Sequence, residues 1–263
     1  MCLIAVAFEK AANAPLVVIS NRDEFYQRPT RALHWWDDAP VLAGRDLQAG
    51  GTWIGLSKSG CFAGVTNYRR PPMDSDPETW PRSRGELVSS FLNSGQTASE
   101  WTESLLPTMA DYDGFNLLLF DGQELLYLNN YQQDEPQNLS PGVYALSNHL
   151  LDSPWPKVEY ARQSLQQAID EHERIESRHI PQLMEGFSLQ RQYPEHLLPD
   201  TGVSAEWERI LSSPFITTDS YGTRASSVAI VSGEGALQMR ERSFRAGQLI
   251  DDVEISFEAT LNP

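Results

Sequence analysis

The 263-residue sequence predicts an α+β fold in which two stacked β-sheets are covered by helices on both outer faces, a four-layer αββα sandwich. Three observations favour this fold class. Apolar, strand-like runs occur near both ends of the chain, amphipathic helical patterns occur between them, and the first two runs are apolar at consecutive positions. Strands that are apolar on both faces need a covering layer on each side. We expect a single domain spanning residues 1–263.

The first third of the chain is predicted to form hairpins. Apolar runs at Cys2–Phe8 and Leu16–Ser20 flank an Ala/Asn/Pro turn, and runs at Thr52–Ser57 and Cys61–Thr66 flank a Lys-Ser-Gly turn. Two segments between these hairpins are interpreted as turns because of their glycines: Gly44-Arg45-Asp46 and Gly50-Gly51.

Helical patterns follow in the middle and late parts of the chain. Ser83-Arg84-Gly85-Glu86 has the spacing of a capping box and leads into an apolar stripe, which predicts a short helix. Further helices are predicted over Ala98–Leu106, from Trp155 to His172, and over Ser204–Leu211. The remaining predicted strands are Phe115–Phe120, Glu124–Asn129, Val143–Ser147, Ala225–Val231, Ala236–Arg242 and Val253–Leu261.

Composition limits the partners and the location. A formal net charge of −16 would repel a phosphate backbone, so nucleic acid is not an expected partner. Arginine supplies 17 of the 20 basic residues, which favours a small-molecule ligand with an acidic group unless the arginine share reflects only genome composition. No run approaches the about 18 apolar residues of a membrane span, and the N-terminus lacks a signal-peptide pattern. We therefore expect a cytoplasmic protein with reduced thiols and, from the Cys and His spacing, no metal site. The oligomeric state stays open.

The second residue is the strongest candidate for chemistry. Removal of Met1, which a small second residue permits, would give Cys2 a thiol nucleophile and a free α-amine on one residue. Their reference pKa values are about 8.5 and about 7.7–8.0, so the amine can accept the proton of the thiol. The alternative is that Cys2 is a small buried hydrophobic residue without chemistry.

Polar residues at strand ends could complete a site around this thiol. Asp23 could orient the amine, and Arg22 could lower the pKa of the thiol or bind a substrate carboxylate. Asn67 and Asn148 each end a predicted strand, and a side-chain amide can donate to an oxyanion. Arg224 precedes a late strand and could close the site by its charge. Each of these residues is also consistent with an ordinary solvated turn.

Six segments, taken together and in order, carry a family resemblance. They are Cys2, Asn21-Arg22-Asp23-Glu24, Gly50-Gly51-Thr52-Trp53-Ile54-Gly55, Gly64-Val65-Thr66-Asn67, Leu146-Ser147-Asn148 and Tyr221-Gly222-Thr223-Arg224. The combination resembles the NRDE family, the transport and Golgi organisation family, over nearly the full chain. That family resembles N-terminal nucleophile hydrolases of the choloylglycine hydrolase type. The resemblance implies the sandwich fold of that type and cleavage of an amide C–N bond through a Cys2 thioester, without a cofactor.

The resemblance also implies roles for individual residues. Hydrolases of this type use a terminal Cys, an Arg and an Asp after the second strand, two Asn and a late Arg. The matching positions here are Cys2, Arg22, Asp23, Asn67, Asn148 and Arg224. One departure is that Arg22 and Asp23 are adjacent. Because adjacent residues of an extended segment point to opposite sides, at most one of them faces Cys2, and the sequence does not decide which.

A second hypothesis follows from the same resemblance. Members of the family are implicated in intracellular haem trafficking, which implies a non-catalytic scaffold that binds haem. His34, beside Trp35-Trp36, offers an axial ligand, and Arg28 and Arg31 could contact the propionates. The alternative for His34 is a surface histidine, since no Cys-x-x-Cys-His spacing occurs.

Overall fold

The computed structural model describes residues 2–73, 76–77 and 79–260. The strands in this part of the chain are β1 (Cys2–Ala11), β2 (Ala14–Phe25), β3 (Thr30–Trp35), β4 (Val41–Asp46), β5 (Ile54–Ser57), β6 (Phe62–Asn67), β7 (Phe115–Phe120), β8 (Leu125–Asn129), β9 (Gln133–Asn138), β10 (Gly142–Leu146), β11 (Tyr221–Val231), β12 (Ala236–Arg245) and β13 (Gln248–Glu258). The α-helices are α1 (Arg84–Ser94), α2 (Ala98–Leu105), α3 (Pro156–Glu171), α4 (Ile180–Gly186) and α5 (Ala205–Leu211). No helix of the described residues has the length and apolar character that a membrane span requires.

The strands form two sheets. The first sheet has the order β10-β1-β2-β11-β12-β13, and the second has the order β3-β4-β5-β6-β7-β8-β9. In the first sheet, β1 pairs antiparallel with β10 and β2, and β2 pairs on its other edge with β11. The N-terminal strand therefore lies inside a sheet, with its backbone hydrogen-bonded on both sides.

Both faces of β1 are buried from Cys2 to Phe8, as the continuous apolar run there predicts. Ile4 and Val6 pack between the two sheets. Leu3 and Ala5 point the other way, against α3 and α4. A third apolar cluster places α1 and α2 on the outer face of the second sheet. The predicted αββα sandwich is thus confirmed.

Two local predictions are wrong. Gly44-Arg45-Asp46 is not a turn but the end of β4, and its glycine is needed for packing because a Cβ there would lie 2.4 Å from the Trp53 ring. The Ser83 hydroxyl makes no capping hydrogen bond, and Glu86 pairs with Arg82 instead. The capping box lies at the start of α2, between Thr97 and Glu100.

The second strand is longer than its apolar run. β2 continues through Asn21, Arg22 and Asp23, which are all buried, and ends at Phe25. At the other end of the chain, the predicted final strand coincides with part of β13, whereas its predicted last residue, Leu261, lies outside the described residues, as Met1 does.

Candidate active site

Cys2 begins β1 and faces the space between the two sheets. It is 7% exposed and belongs to the same apolar cluster as Ile4 and Val6. Its antiparallel partner on β2 is Arg22, and directly opposed residues of an antiparallel pair point to the same face. Burial raises the pKa of the Cys2 thiol, and the carboxylate of Asp23 adds to the rise. The thiol is therefore held in its neutral form and needs a base for nucleophilic attack.

The structure settles which of the two adjacent charged residues faces Cys2. Arg22 shares the face of the thiol, whereas Asp23 points to the helix side of the sheet, where the Thr223 hydroxyl donates to its Oδ1 at 2.7 Å. Burial raises the pKa of Asp23, and the positive charge of buried Lys157 acts in the opposite direction. Lys157 donates to the Leu211 carbonyl at 2.8 Å, and burial lowers its pKa to about 8.

A cavity of about 140 Å³ opens beside Cys2. Its wall carries three arginines, two carboxylates, and apolar and small residues: Cys2, Arg22, Glu24, Arg28, Asp46, Ala49, Gly51, Thr52, Trp53, Val65, Asn67, Ser83, Arg84 and Gly85. The Cys2 thiol thus opens into a polar, arginine-rich chamber of a protein that is acidic as a whole.

Asp46 organises two of these arginines. Its Oδ2 accepts from Arg22 Nη2 at 2.9 Å and from Arg28 Nε at 2.6 Å, and its Oδ1 accepts from the backbone N–H of Gln48 and Ala49, each at 3.0 Å. Burial alone would raise the pKa of Asp46, but these hydrogen bonds and the arginine charges outweigh it and keep the pKa low. Arg22 also lies over the Trp53 ring, 4.5 Å from its centroid. Its guanidinium is therefore fixed beside the thiol.

The two predicted asparagines lie together but differ in role. Asn67 lines the cavity, and Asn148 Nδ2 donates to the Asn67 backbone carbonyl at 3.1 Å. The Ser147 hydroxyl lies within hydrogen-bond distance of the Cys2 carbonyl, at 3.1 Å, and of Asn148 Oδ1, at 3.2 Å. Asn148 is fully buried and is not part of the cavity wall. It therefore fixes the end of β6 relative to the start of β1.

Arg224 supports the site from outside the cavity. Its Nη1 donates to the backbone carbonyls of Phe25, at 2.9 Å, and Arg28, at 3.0 Å. Burial lowers its pKa. Because the Phe25–Arg28 segment carries one of the cavity arginines, Arg224 positions the wall and does not itself line it.

Sequence reasoning missed several wall residues. The sequence pattern assigns Ser83 and Arg84 only to a helix start and Asp46 only to a turn, because nothing in a single sequence shows that these segments meet at Cys2. Arg84 and Asn67 also line an adjoining cavity of about 390 Å³, together with Tyr68, Arg69, Arg70, Pro72, Asp76, Pro77, Trp80 and Asp113. The nearest sequence signal was the glycine pattern at Gly51 and Gly85, which allows close approach of two backbones.

The residues suggested for haem lie in different places. Arg28 lines the Cys2 cavity, but Arg31 and His34 do not. Arg31 lies 3.6 Å from the exposed Asp37 carboxylate, and His34 Nδ1 lies 2.7 Å from the Ala32 carbonyl. Trp35 packs edge to face on Phe257. The structure therefore does not bring the three suggested haem contacts together in the Cys2 cavity.

Comparison with solved structures defines the class of fold. A mutant conjugated bile acid hydrolase from Clostridium perfringens aligns with a TM-score of 0.54 and 9% identity, covering 99% of this chain and 98% of the other. A Caenorhabditis elegans ortholog of N-acylethanolamine-hydrolyzing acid amidase aligns with a TM-score of 0.50 and 12% identity, covering 87% and 92%. The fold is therefore that of the N-terminal nucleophile hydrolases.

Sequence comparison defines the family. The profile described as "Transport and Golgi organisation 2" matches residues 1–246. The Transport and Golgi organization protein 2 homologs of Bos taurus and Homo sapiens are 34% and 31% identical; the alignments cover 92% and 99% of this chain, and 93% and 99% of those proteins. The chain belongs to the Transport and Golgi organisation 2 family, and the resemblance found in its motifs is confirmed.

Proposed function

We propose that the protein is an N-terminal-cysteine hydrolase that cleaves an amide C–N bond. The observation that carries this proposal is the position of Cys2, whose side chain lies at the first residue of an internal strand and opens into a cavity that Arg22 and Asn67 also line. The two structures with the same fold are named as hydrolases, of conjugated bile acids and of N-acylethanolamine, which supports the reaction class. The unpaired thiols of Cys2 and Cys61 fit the expected cytoplasmic location.

The proposed reaction has two steps. With Met1 removed, the α-amine of Cys2 takes the thiol proton while Sγ bonds to the substrate carbonyl carbon. The tetrahedral intermediate then breaks its C–N bond, and the leaving amine takes that proton. Water attacks the resulting thioester, which releases a carboxylic acid and restores the thiol. The amine is needed because burial raises the pKa of the thiol.

The surrounding residues take distinct parts in this proposal. The Asn67 side-chain amide donates to the oxyanion, and Asn148 holds Asn67 through its backbone carbonyl. Asp23 orients the α-amine from the helix side of the sheet. Arg22 supplies positive charge on the face of the thiol, where negative charge develops.

The test compares turnover by Met1-processed protein and its variants on a panel of acyl p-nitroanilides, with and without a carboxylate. We expect Cys2→Ala and Cys2→Ser to abolish turnover, while Cys61→Ser, the matched change at the second cysteine, retains it. Circular dichroism confirms that the variants keep the fold. Equal hydrolysis by the wild type and both Cys2 variants would refute the proposal.

Haem binding is the alternative proposal. Its support is the family resemblance and the cavity position of Arg28, whereas Arg31 and His34 lie elsewhere. It predicts a Soret shift on mixing with haem that substitution of His34 or Cys2 weakens. A Soret shift combined with no turnover on any amide would favour this alternative over the hydrolase.

A further inference from the structure

Two glycines bring the first turn of α1 into the wall of the Cys2 cavity. A Cβ atom on Gly51 would lie 2.4 Å from the carbonyl carbon of Gly85, so only glycine permits this approach. The Thr52 N–H donates to the Gly85 carbonyl at 3.1 Å and fixes the contact. Arg84 consequently lines the same 140 Å³ cavity as the thiol. The start of an 11-residue helix adds a partial positive charge at this wall.

Arg84 differs from the other two arginines of the cavity. Arg22 and Arg28 are both bound to the Asp46 carboxylate. Arg84 uses only Nη1, which donates to Asp113 Oδ2 at 2.9 Å and to the Gly114 carbonyl at 3.1 Å. Its Nε and Nη2 have no hydrogen-bond partner among the described residues. A guanidinium with donors left over is suited to a planar carboxylate.

The Arg84 guanidinium and the Cys2 thiol belong to the wall of one cavity, so a single ligand can contact both. Burial lowers the pKa of Arg84, while the charge of Asp113 and that of an ionised Cys2 both raise it. Arg84 also lines the adjoining 390 Å³ cavity, so it lies where the two chambers meet. A ligand bound at this junction can therefore contact Arg84 and extend toward the thiol.

We propose that Arg84 determines substrate specificity by binding a carboxylate group of the substrate at the junction of the two cavities, beside Cys2. The substrate class is accordingly an amide with a carboxylate close to the scissile carbonyl. That the bound carboxylate belongs to a substrate rests on the proposed hydrolase function. Binding of a carboxylate beside the thiol does not itself require turnover.

The test uses two alkylating reagents that differ mainly in charge, iodoacetate and iodoacetamide. Peptide mass spectrometry measures the rate at which each reagent alkylates Cys2, and we take the ratio of the iodoacetate rate to the iodoacetamide rate. Divided by the same ratio for glutathione, it measures how strongly the cavity attracts an anion. We expect Arg84→Gln to lower this ratio about tenfold, at the low end of charge-steering effects, and we expect high salt to lower it in the wild type. Arg84→Lys should keep most of the ratio.

Two controls show whether the change in the ratio is specific to the Cys2 cavity. Arg82→Gln removes the same charge two residues away, from a side chain that pairs with Glu86 and does not line the cavity, and should leave the ratio unchanged. The ratio at Cys61 should not respond to either variant. Equal ratios in the wild type and Arg84→Gln, or no labelling of Cys2 by either reagent in the folded protein, would overturn the proposal. A normal anion preference without amide turnover would instead defeat only the hydrolase proposal.

Discussion

Replacing Asp46 by asparagine should destabilise the protein more than the loss of an exposed ion pair does. Asp46 accepts four hydrogen bonds, two of them from Arg22 and Arg28. The side chain of Arg22 is 6% exposed, so loss of the carboxylate leaves a buried charge without its counter-ion. Breaking a buried pair in this way costs about 3–5 kcal/mol.

The lower end of that range applies here. The side chain of Arg28 is 29% exposed, and an asparagine oxygen can still accept from the two backbone N–H groups. We therefore expect Asp46→Asn to lower the free energy of unfolding by about 3 kcal/mol, which for a chain of this length lowers the Tm by about 6–12 °C. Differential scanning calorimetry at neutral pH measures the Tm directly.

The matched control is Asp38→Asn. Asp38 also binds one arginine through two hydrogen bonds, from Arg45 at 2.7 and 2.9 Å, but it is exposed and solvent screens the pair. Its Tm should stay close to that of the wild type. Melting of both variants within about 2 °C of the wild type would show that the Asp46 carboxylate does not stabilise the fold as a buried counter-ion.

The contribution of Asp46 to stability should also depend on pH in one direction only. The folded pKa of Asp46 lies below its ordinary value of 3.8, so its stabilisation is present above that value and is lost as the pH falls through the folded pKa. The stability difference between the wild type and Asp46→Asn should therefore be constant at neutral pH and shrink as the pH falls below 3.8. A difference that grew on acidification would contradict this assignment.

Three further predictions concern other parts of the fold. Burial raises the pKa of Glu241 from 4.5 to about 7, so between these pH values the folded state holds a proton that the unfolded state has released. The free energy of unfolding of the wild type should therefore fall by about 3 kcal/mol as the pH rises from 4.5 to about 7, and that of Glu241→Gln should not. Urea denaturation across this pH range measures both. Gly51→Ala should cost about 1–3 kcal/mol by forcing α1 away, whereas Gly233→Ala, whose nearest neighbouring atom is 3.8 Å away, should be near neutral in the same denaturation assay. Thr97→Ala should cost about 1 kcal/mol through the lost cap, and Ser83→Ala much less; equal losses would contradict the observed caps.

The layers of the fold could be predicted because they follow from local patterns. The continuous burial of β1 from Cys2 to Phe8 appears in the sequence as an unbroken apolar run, and the two-sided covering follows from it. Local patterns do not predict β4 correctly, because Gly44 looks like a turn residue in the sequence. In the structure, its lack of a side chain leaves space for the Trp53 ring. A glycine can mark either a turn or a close contact within a strand, and only the three-dimensional structure distinguishes the two.

The site could be predicted only where its residues lie on β1 and β2 or at strand ends. Alternation along β2 correctly implied that Arg22 and Asp23 point to opposite sides, and the register with Cys2 decided which one faces the thiol. Arg84 could not be found this way, because it reaches the cavity through a backbone contact between Gly51 and Gly85 that no spacing encodes.

Cys2 can act with its own α-amine as the base only if Met1 is removed. The intact mass of the protein isolated at its native expression level shows directly whether this has happened. We expect a mass that lacks Met1, with the amine of Cys2 free. Full retention of Met1 would leave the amine in a peptide bond, so that the buried, neutral thiol has lost its proposed base, and would contradict the hydrolase mechanism.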